Sequence, residues 1–275
     1  MKPVQIITDS TAYISKEYAQ YNNIEIVPLS VELCGEVRKE GYPGDFEDFF
    51  NKLVDSKGFP KTSQPSAGDF VEAYKRAFQR GDEIVAILFS SKLSGTYNSA
   101  CVAAEIEAPD KITVIDTESA VGNLKFLIEK AVKLSKTGAS RQEIVDMVNT
   151  DRKNTSINLT VETLEYLKRG GRLSNSKALI GTILNIKPII GLVDGELIPV
   201  DKVRGKKKAI ETMIDMVPDY VKKISIGHVQ NDNEANKLKE LLEERFKDAV
   251  VTVDEIGPVI GSHIGPNAIG ICSSW

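Results

Sequence analysis

Histidine, cysteine and tryptophan are scarce in this 275-residue chain, which carries two, three and one of them respectively. The two histidines, His228 and His263, are too far apart to form a helical zinc pair, and H-E-x-x-H is absent. Cys34, Cys101 and Cys272 form no C-x-x-C pair and are too scattered for a disulfide framework, so reduced core thiols are expected. G-x-S-x-G, G-x-G-x-x-G and the G-x-x-x-x-G-K-[ST] phosphate loop are also missing, which removes most familiar catalytic and nucleotide-binding signatures. No apolar run approaches the roughly 20 residues that span a bilayer. A net charge of −4 supplies no global positive field for a nucleic-acid backbone. The first residues, Met1 to Asp9, meet an acid too early for a signal peptide and read as a strand, so a soluble cytoplasmic chain is expected.

What is present is an ordinary globular composition, 41% hydrophobic and 27% charged, which excludes general disorder. Short β-branched runs at Val4–Ile7, Ile24–Leu33, Ile84–Phe89 and Ile112–Ile115 read as strands. Helical spacing occupies Phe46–Val54, Phe70–Phe78, Gly95–Ile106 and Lys125–Lys136. Ser66–Asp69 and Ser140–Glu143 have the form of capping boxes. This alternation predicts a parallel, helix-covered sheet. Beyond about residue 150 the rhythm changes. A strand at Thr155–Val161 and helices at Glu162–Lys168 and 176–184 precede two strands, Pro188–Val193 and Glu196–Val200, around the hairpin signal Asp194-Gly195. Helices at Lys206–Met216 and Glu234–Phe246 then alternate with strands at Ile224–Val229 and Val250–Val253. The expectation is a two-lobed α/β chain, with a parallel N-terminal lobe (1–152) and a mixed C-terminal lobe (153–275).

Four polar clusters fall where strands should end, the usual ligand rim of an α/β sheet. They are Thr8–Thr11, Lys61–Ser66, Ser90–Thr96 and the glycine-rich loop Gly257–Asn267. In the third, the Ser94 hydroxyl and the Gly95 N–H lie at an expected helix N-terminus, which favours an anion; a plain cap explains Ser94 equally. Thr62 is free of capping duty because Ser66 can cap the next helix. Asp9 reads as a turn or capping acid, and His263 as a loop residue open to a functional role. Lys168, Arg169 and Arg172 surround a helix C-terminus, where cations are favourable in any case. Lys202, Arg204, Lys206, Lys207 and Lys208 form a basic cluster in an acidic chain, either a solvated face or a contact for an acidic partner.

Together these stretches resemble the DegV family of bacterial fatty-acid-binding proteins across residues 3–274. The resemblance is carried by Thr8-Asp9-Ser10-Thr11-Ala12, Lys61-Thr62-Ser63-Gln64-Pro65-Ser66, Leu93-Ser94-Gly95-Thr96, Tyr166–Ser174, Leu184–Ile190 and Gly261-Ser262-His263-Ile264-Gly265-Pro266. Asp116-Thr117 and Asn267 depart from the family's Asp-Ser and Gly. The resemblance implies a DegV-like fold that buries one long-chain fatty acid, such as palmitate, between its lobes. It implies a carboxylate held by Thr62 and Ser94, with Gly95 and His263 as helpers, and no metal or other cofactor. It also implies a separate dihydroxyacetone-kinase-like partner that makes an acyl phosphate. Arg169, Arg172 and Arg204 lie outside the hydroxyl loops and are expected to serve that partner or the phosphate rather than lipid affinity. Two other classes stand beside this lipid carrier. One is an enzyme, an acyl hydrolase using Ser94 or a phosphotransferase using Asp9 or His263; the other is a regulatory protein reading lipid through its basic cluster.

Overall fold

Strand β1 (Gln5–Asp9) is buried at every position, as a strand covered by helices on both faces must be. The computed structural model describes residues 3–56, 58–174 and 185–275. Along the first part of the chain, α1 (Lys16–Tyr21), β2 (Glu25–Val27), β3 (Ser30–Leu33), β4 (Glu36–Lys39), α2 (Glu47–Asp55) and β5 (Lys61–Ser63) follow β1. Next come α3 (Ala67–Phe78), β6 (Ile84–Leu88), α4 (Thr96–Glu107), β7 (Ile112–Asp116), α5 (Val121–Lys136) and α6 (Arg141–Asp151). The order β2-β1-β6-β7 forms an all-parallel sheet. Ala86 and Leu88 face Phe70 and Tyr74 of α3, while Val85 and Ile87 face Leu124 and Ile128 of α5. Both expected capping boxes, Ser66 with Asp69 and Ser140 with Glu143, are formed.

The expected strand Ile24–Leu33 divides. Pro28 offers no N–H to a ladder, and the Leu29 N–H is taken by Ser10 Oγ at 3.2 Å. The chain therefore leaves the parallel sheet after β2 and enters a second, antiparallel sheet of order β4-β3-β5. Thr62 consequently sits on a strand, not in a loop. Cys34 and Gly35 make the tight turn between β3 and β4, with φ of 54° and 81°. Cys34 is exposed there and Cys101 is half-buried, so only Cys272 is the core thiol expected of all three.

The remaining elements are β8 (Thr155–Thr160), α7 (Glu165–Gly170), β9 (Ile186–Val193), β10 (Glu196–Arg204), α8 (Lys206–Asp215), β11 (Lys223–His228), α9 (Asp232–Arg245), β12 (Val250–Glu255), α10 (Pro258–Ile264) and β13 (Ile269–Ser274). Their sheet has the order β10-β9-β8-β13-β11-β12 and is mixed, with a parallel pair at β11 and β12. Asp194 and Gly195, both at positive φ, turn the β9–β10 hairpin as expected. The helix expected at 176–184 lies outside the described residues.

One face of this sheet, including Ile224 and Ile226, packs on α8 and α9. The other face looks toward the first part of the chain, where Ile157, Leu159 and Cys272 join Tyr13, Phe46, Phe50 and Val121. Helix α5 packs on both large sheets. Its Gly122 lies so close to β11 and β13 that an added Cβ would sit 2.4 Å from Ser225 Cβ and 3.1 Å from Cys272 Cβ. Lys125, one turn on, reaches Asp254 of β12 at 2.6 Å. Gly122→Ala should therefore destabilise the fold by about 1–3 kcal/mol through overpacking. Gly68→Ala in α3 meets only Ser66 Oγ at 3.6 Å and should be neutral or stabilising by up to about 1 kcal/mol. Urea unfolding of the two variants checks this contrast; equal midpoints would show that α5 has room to shift.

Candidate functional site

Between the parallel sheet and the mixed sheet lies a cavity of about 360 Å³, a size typical of small-molecule sites. Its wall is mostly aliphatic, with Leu29, Phe89, Ile157, Leu159, Ile256 and Val259 among its residues. Val121 also lines it, at a φ of 50° that a β-branched residue rarely adopts. The polar lining groups among the described residues include Thr62, Ser63, Gln64, Ser94, Arg172 and His263. Thr62 Oγ1 and His263 Nε2 lie 2.7 Å apart across 201 residues of chain. The Gln64 amide packs on Gly95, where an added Cβ would sit 2.2 Å from its Oε1. A larger residue at position 95 would displace the Gln64 amide, and the contact places the residue after β5 against the Ser94 turn. Arg172 Nε donates to the Leu93 carbonyl at 3.3 Å, and another guanidinium N–H donates to the Gly170 carbonyl at 2.6 Å.

His263 departs from expectation in its setting. It stands in the last turn of α10, not in a loop, because Pro258 fits the first helical turn and Gly257 and Gly265 bracket the helix. Gly261 serves packing: a Cβ there would meet the Phe50 ring at 2.6 Å. Burial, reinforced by the Arg172 guanidinium, pushes the His263 imidazole down to about 4. The ring is therefore neutral near pH 7. Its Nδ1 is buried without a partner. A neutral imidazole carries its proton on one ring nitrogen and accepts at the other. In the Nε2–H tautomer the ring donates to Thr62 Oγ1, and the Thr62 hydroxyl hydrogen is free to donate elsewhere.

Ser94 sits just before Gly95, the N-cap of α4, and its hydroxyl lies 2.9 Å from Thr96 Oγ1 and accepts the Thr96 N–H at 3.3 Å. The imidazole engages Thr62 rather than Ser94. Asp9 is fully buried and caps the turn after β1, accepting from the N–H and hydroxyl of Thr11 and the N–H of Phe89. Arg172, expected away from the head-group loops, is on the cavity wall. Arg169 pairs with Glu165 at 2.6 Å over the Phe59 ring, and Arg204 ends β10 outside the lining. Within the basic cluster, Lys206 pairs with Glu234 and Lys208 with Glu211.

Sequence reasoning missed Gln64's packing role and Glu40, a buried acid at the far end of α10. Glu40 accepts the Val259 N–H at 2.8 Å and the Ser10 hydroxyl at 2.6 Å. Burial pushes its carboxyl up to about 7. Among the described residues, no group of three or more His, Cys, Asp or Glu could hold a metal ion. No described helix is long and apolar enough to cross a membrane.

These features define a mixed α/β protein with an apolar internal cavity opening at a hydroxyl-lined polar mouth. The chain belongs to the DegV family, matching the profile described as "Uncharacterised protein, DegV family" over residues 3–274. It is 34% identical over 281 residues to a DegV domain-containing protein of Halalkalibacterium halodurans, covering 100% of this chain and 99% of that one. It is also similar to a DegV family protein from Thermus thermophilus solved for its fatty-acid binding, at 31% identity, TM-score 0.91 and 99% coverage of both chains. DegV of Bacillus subtilis, a fatty-acid-binding protein, matches at 31% identity and TM-score 0.89 over 100% of both chains.

The depressed His263 pKa has a pH consequence. The unfolded imidazole takes its proton near 6.5 and the folded one near 4. Its stabilising contribution is complete above about pH 6.5 and is lost as pH falls toward 4. The raised carboxyl of Glu40 acts in the opposite sense between 4.5 and about 7. Subtracting a His263→Gln variant isolates the imidazole, and the wild type should lose up to about 3 kcal/mol more than the variant across that fall. Urea midpoints stepped through this range check it; parallel pH slopes in both proteins would rule it out.

Proposed function

We propose that this chain carries a single long-chain fatty acid, such as palmitate, with its tail between the lobes 1–152 and 153–275. The observation that carries the proposal is an apolar cavity with one polar mouth, bounded by Thr62, Ser94, Arg172 and His263. The solved Thermus thermophilus and Bacillus subtilis relatives, described as binding fatty acids, support it. Burying about 14 methylenes at ~0.8 kcal/mol each gives roughly 11 kcal/mol gross, before association and ordering costs. The tail supplies affinity. The head group supplies position: the free Thr62 hydroxyl hydrogen and the Ser94 hydroxyl donate to the carboxylate, and Arg172 offsets its charge. Gly95 keeps the Ser94 turn close to Gln64, and His263 orients the Thr62 hydroxyl.

In this proposal the chain is a carrier without catalysis of its own, and a separate kinase transfers the ATP γ-phosphoryl group to the acyl carboxylate, giving acyl phosphate and ADP. Arg169, Arg172 and Arg204 are the candidate contacts for that kinase or for the phosphate, because a guanidinium grips phosphate at two points. Charge reversal at Arg169 and Arg204 should leave fatty-acid uptake intact and slow acyl-phosphate formation by a supplied kinase. Unchanged, salt-insensitive turnover would return both to a purely structural role.

Titration calorimetry tests the head-group assignment. Each hydroxyl deleted from a charged acceptor should cost about 1.5–3 kcal/mol, less than additively for neighbours. Thr62→Ala with Ser94→Ala should therefore weaken palmitate binding at least tenfold with the fold intact. Wild-type affinity in the double variant would place the carboxylate elsewhere, and ester hydrolysis abolished by Ser94→Ala would replace the carrier with an acyl-transfer enzyme.

A further inference from the structure

Thr62 meets His263 at the finish of α10, while two glycines line the cavity beside Ile256, which precedes the start of that helix. Gly227 of β11 and Gly270 of β13 face each other in register, and both line the cavity. Their row continues through Leu159 on one side and Asp254 on the other. Facing cross-strand pairs point to the same side of a sheet. Two adjacent positions without side chains therefore leave a trough in the cavity floor. Neither glycine has a positive φ, so backbone conformation does not demand glycine at either place.

The two differ in what a side chain would meet. At Gly270 a Cβ would lie 2.9 Å from Leu159 Cβ and 3.1 Å from the Asn158 carbonyl, so the fold itself excludes a larger residue. At Gly227 it would lie 2.9 Å from Ile256 Cδ1, 3.4 Å from Ile256 Cγ1 and 3.5 Å from Val121 Cγ1. The tightest of these is the far end of a flexible side chain, and both neighbours are cavity-wall residues. A side chain at Gly227 would thus take its space from the cavity, not from the backbone. Two residues along the same strands, α5 packs directly on the sheet, with Gly122 seated on Ser225 and Cys272.

We propose that Gly227, apposed to Ile256 and Val121, is the specificity-determining position that sets how long an acyl chain the cavity accepts. This rests on the fatty-acid reading above and adds to it the residue that measures the tail. Short chains end before the trough and do not feel position 227. Long chains lie in it and do.

Competition binding with laurate, myristate, palmitate and stearate separates the possibilities. Gly227→Ala should weaken stearate by about tenfold or more, the scale of one misfitted methylene in an apolar pocket, while laurate stays within about twofold. Adding Ile256→Val removes the Cδ1 atom in the way, and the double variant should recover stearate binding. Should Gly227→Ala fail to fold, Ile256→Val alone should move the preference toward longer chains. An equal loss at all four lengths, no rescue by Ile256→Val, or a length profile unmoved in the variants that fold would overturn the assignment of Gly227. No uptake of any of the four acids by the wild-type chain would overturn the fatty-acid reading itself, and with it this one.

Discussion

Hydrogen bonds tie α10 to the N-terminal part of the chain at both ends of the helix. At its start the Glu40 carboxylate accepts the Val259 N–H at 2.8 Å; at its finish His263 meets Thr62 at 2.7 Å. The helix is only seven residues long, too short to be stable by itself. Val259, Ile260 and Ile264 on this helix form part of the cavity wall. Val259 and Ile264 are buried in the apolar cores and Gly261 seats the Phe50 ring, so the spacing of the parallel and mixed sheets on that side depends on apolar packing together with polar contacts at both helix ends. A gap can persist there because α10 is held from both ends.

The same arrangement sorts the cavity's chemistry. In its Nε2–H tautomer, neutral His263 donates to Thr62, which leaves the threonine hydroxyl hydrogen to be donated away from the ring. Burial, with Arg172 beside it, keeps the imidazole neutral, and among the described residues Arg172 puts the only formal charge on the lining. Ser94 is held by Thr96, and Gln64 locks the Ser94 turn against β5. In the proposed complex a carboxylate at the mouth meets groups already held in place, so little reorganisation would accompany binding. The rest of the wall is mostly aliphatic and includes bare strand backbone at Gly227 and Gly270.

Much of the architecture was legible from residues alone. β6, β7, the Asp194-Gly195 hairpin and the Ser66 and Ser140 caps follow from β-branched runs, turn chemistry and capping pairs that act locally. The change of sheet at Pro28-Leu29 was not, because it is decided by the distant Ser10 hydroxyl. α10 was read as a loop because its glycines look like flexibility, whereas Gly257 and Gly261 allow the rings of Tyr13, Phe46 and Phe50 to approach. β13, central in its sheet, is short and rich in small residues, so it gives a weak strand signal. Thr62, Ser94 and His263 could be singled out as polar groups near strand and helix ends, and the structure brings them to one cavity. Arg172's place beside them could not be read, since cations at a helix C-terminus need no further cause. The cavity itself was invisible: Ile157 or Leu159 lining a space has the same sequence pattern as a residue filling a core.

Native mass spectrometry of the chain purified without denaturant or added lipid tests the central claim most directly. The account predicts a species heavier than the apo-chain by one long-chain fatty acid, released as the free acid when the chain is unfolded. A chain carrying no acyl acid that also fails to take one up when palmitate is supplied would contradict it, as would a ligand of another chemical class bound at one per chain.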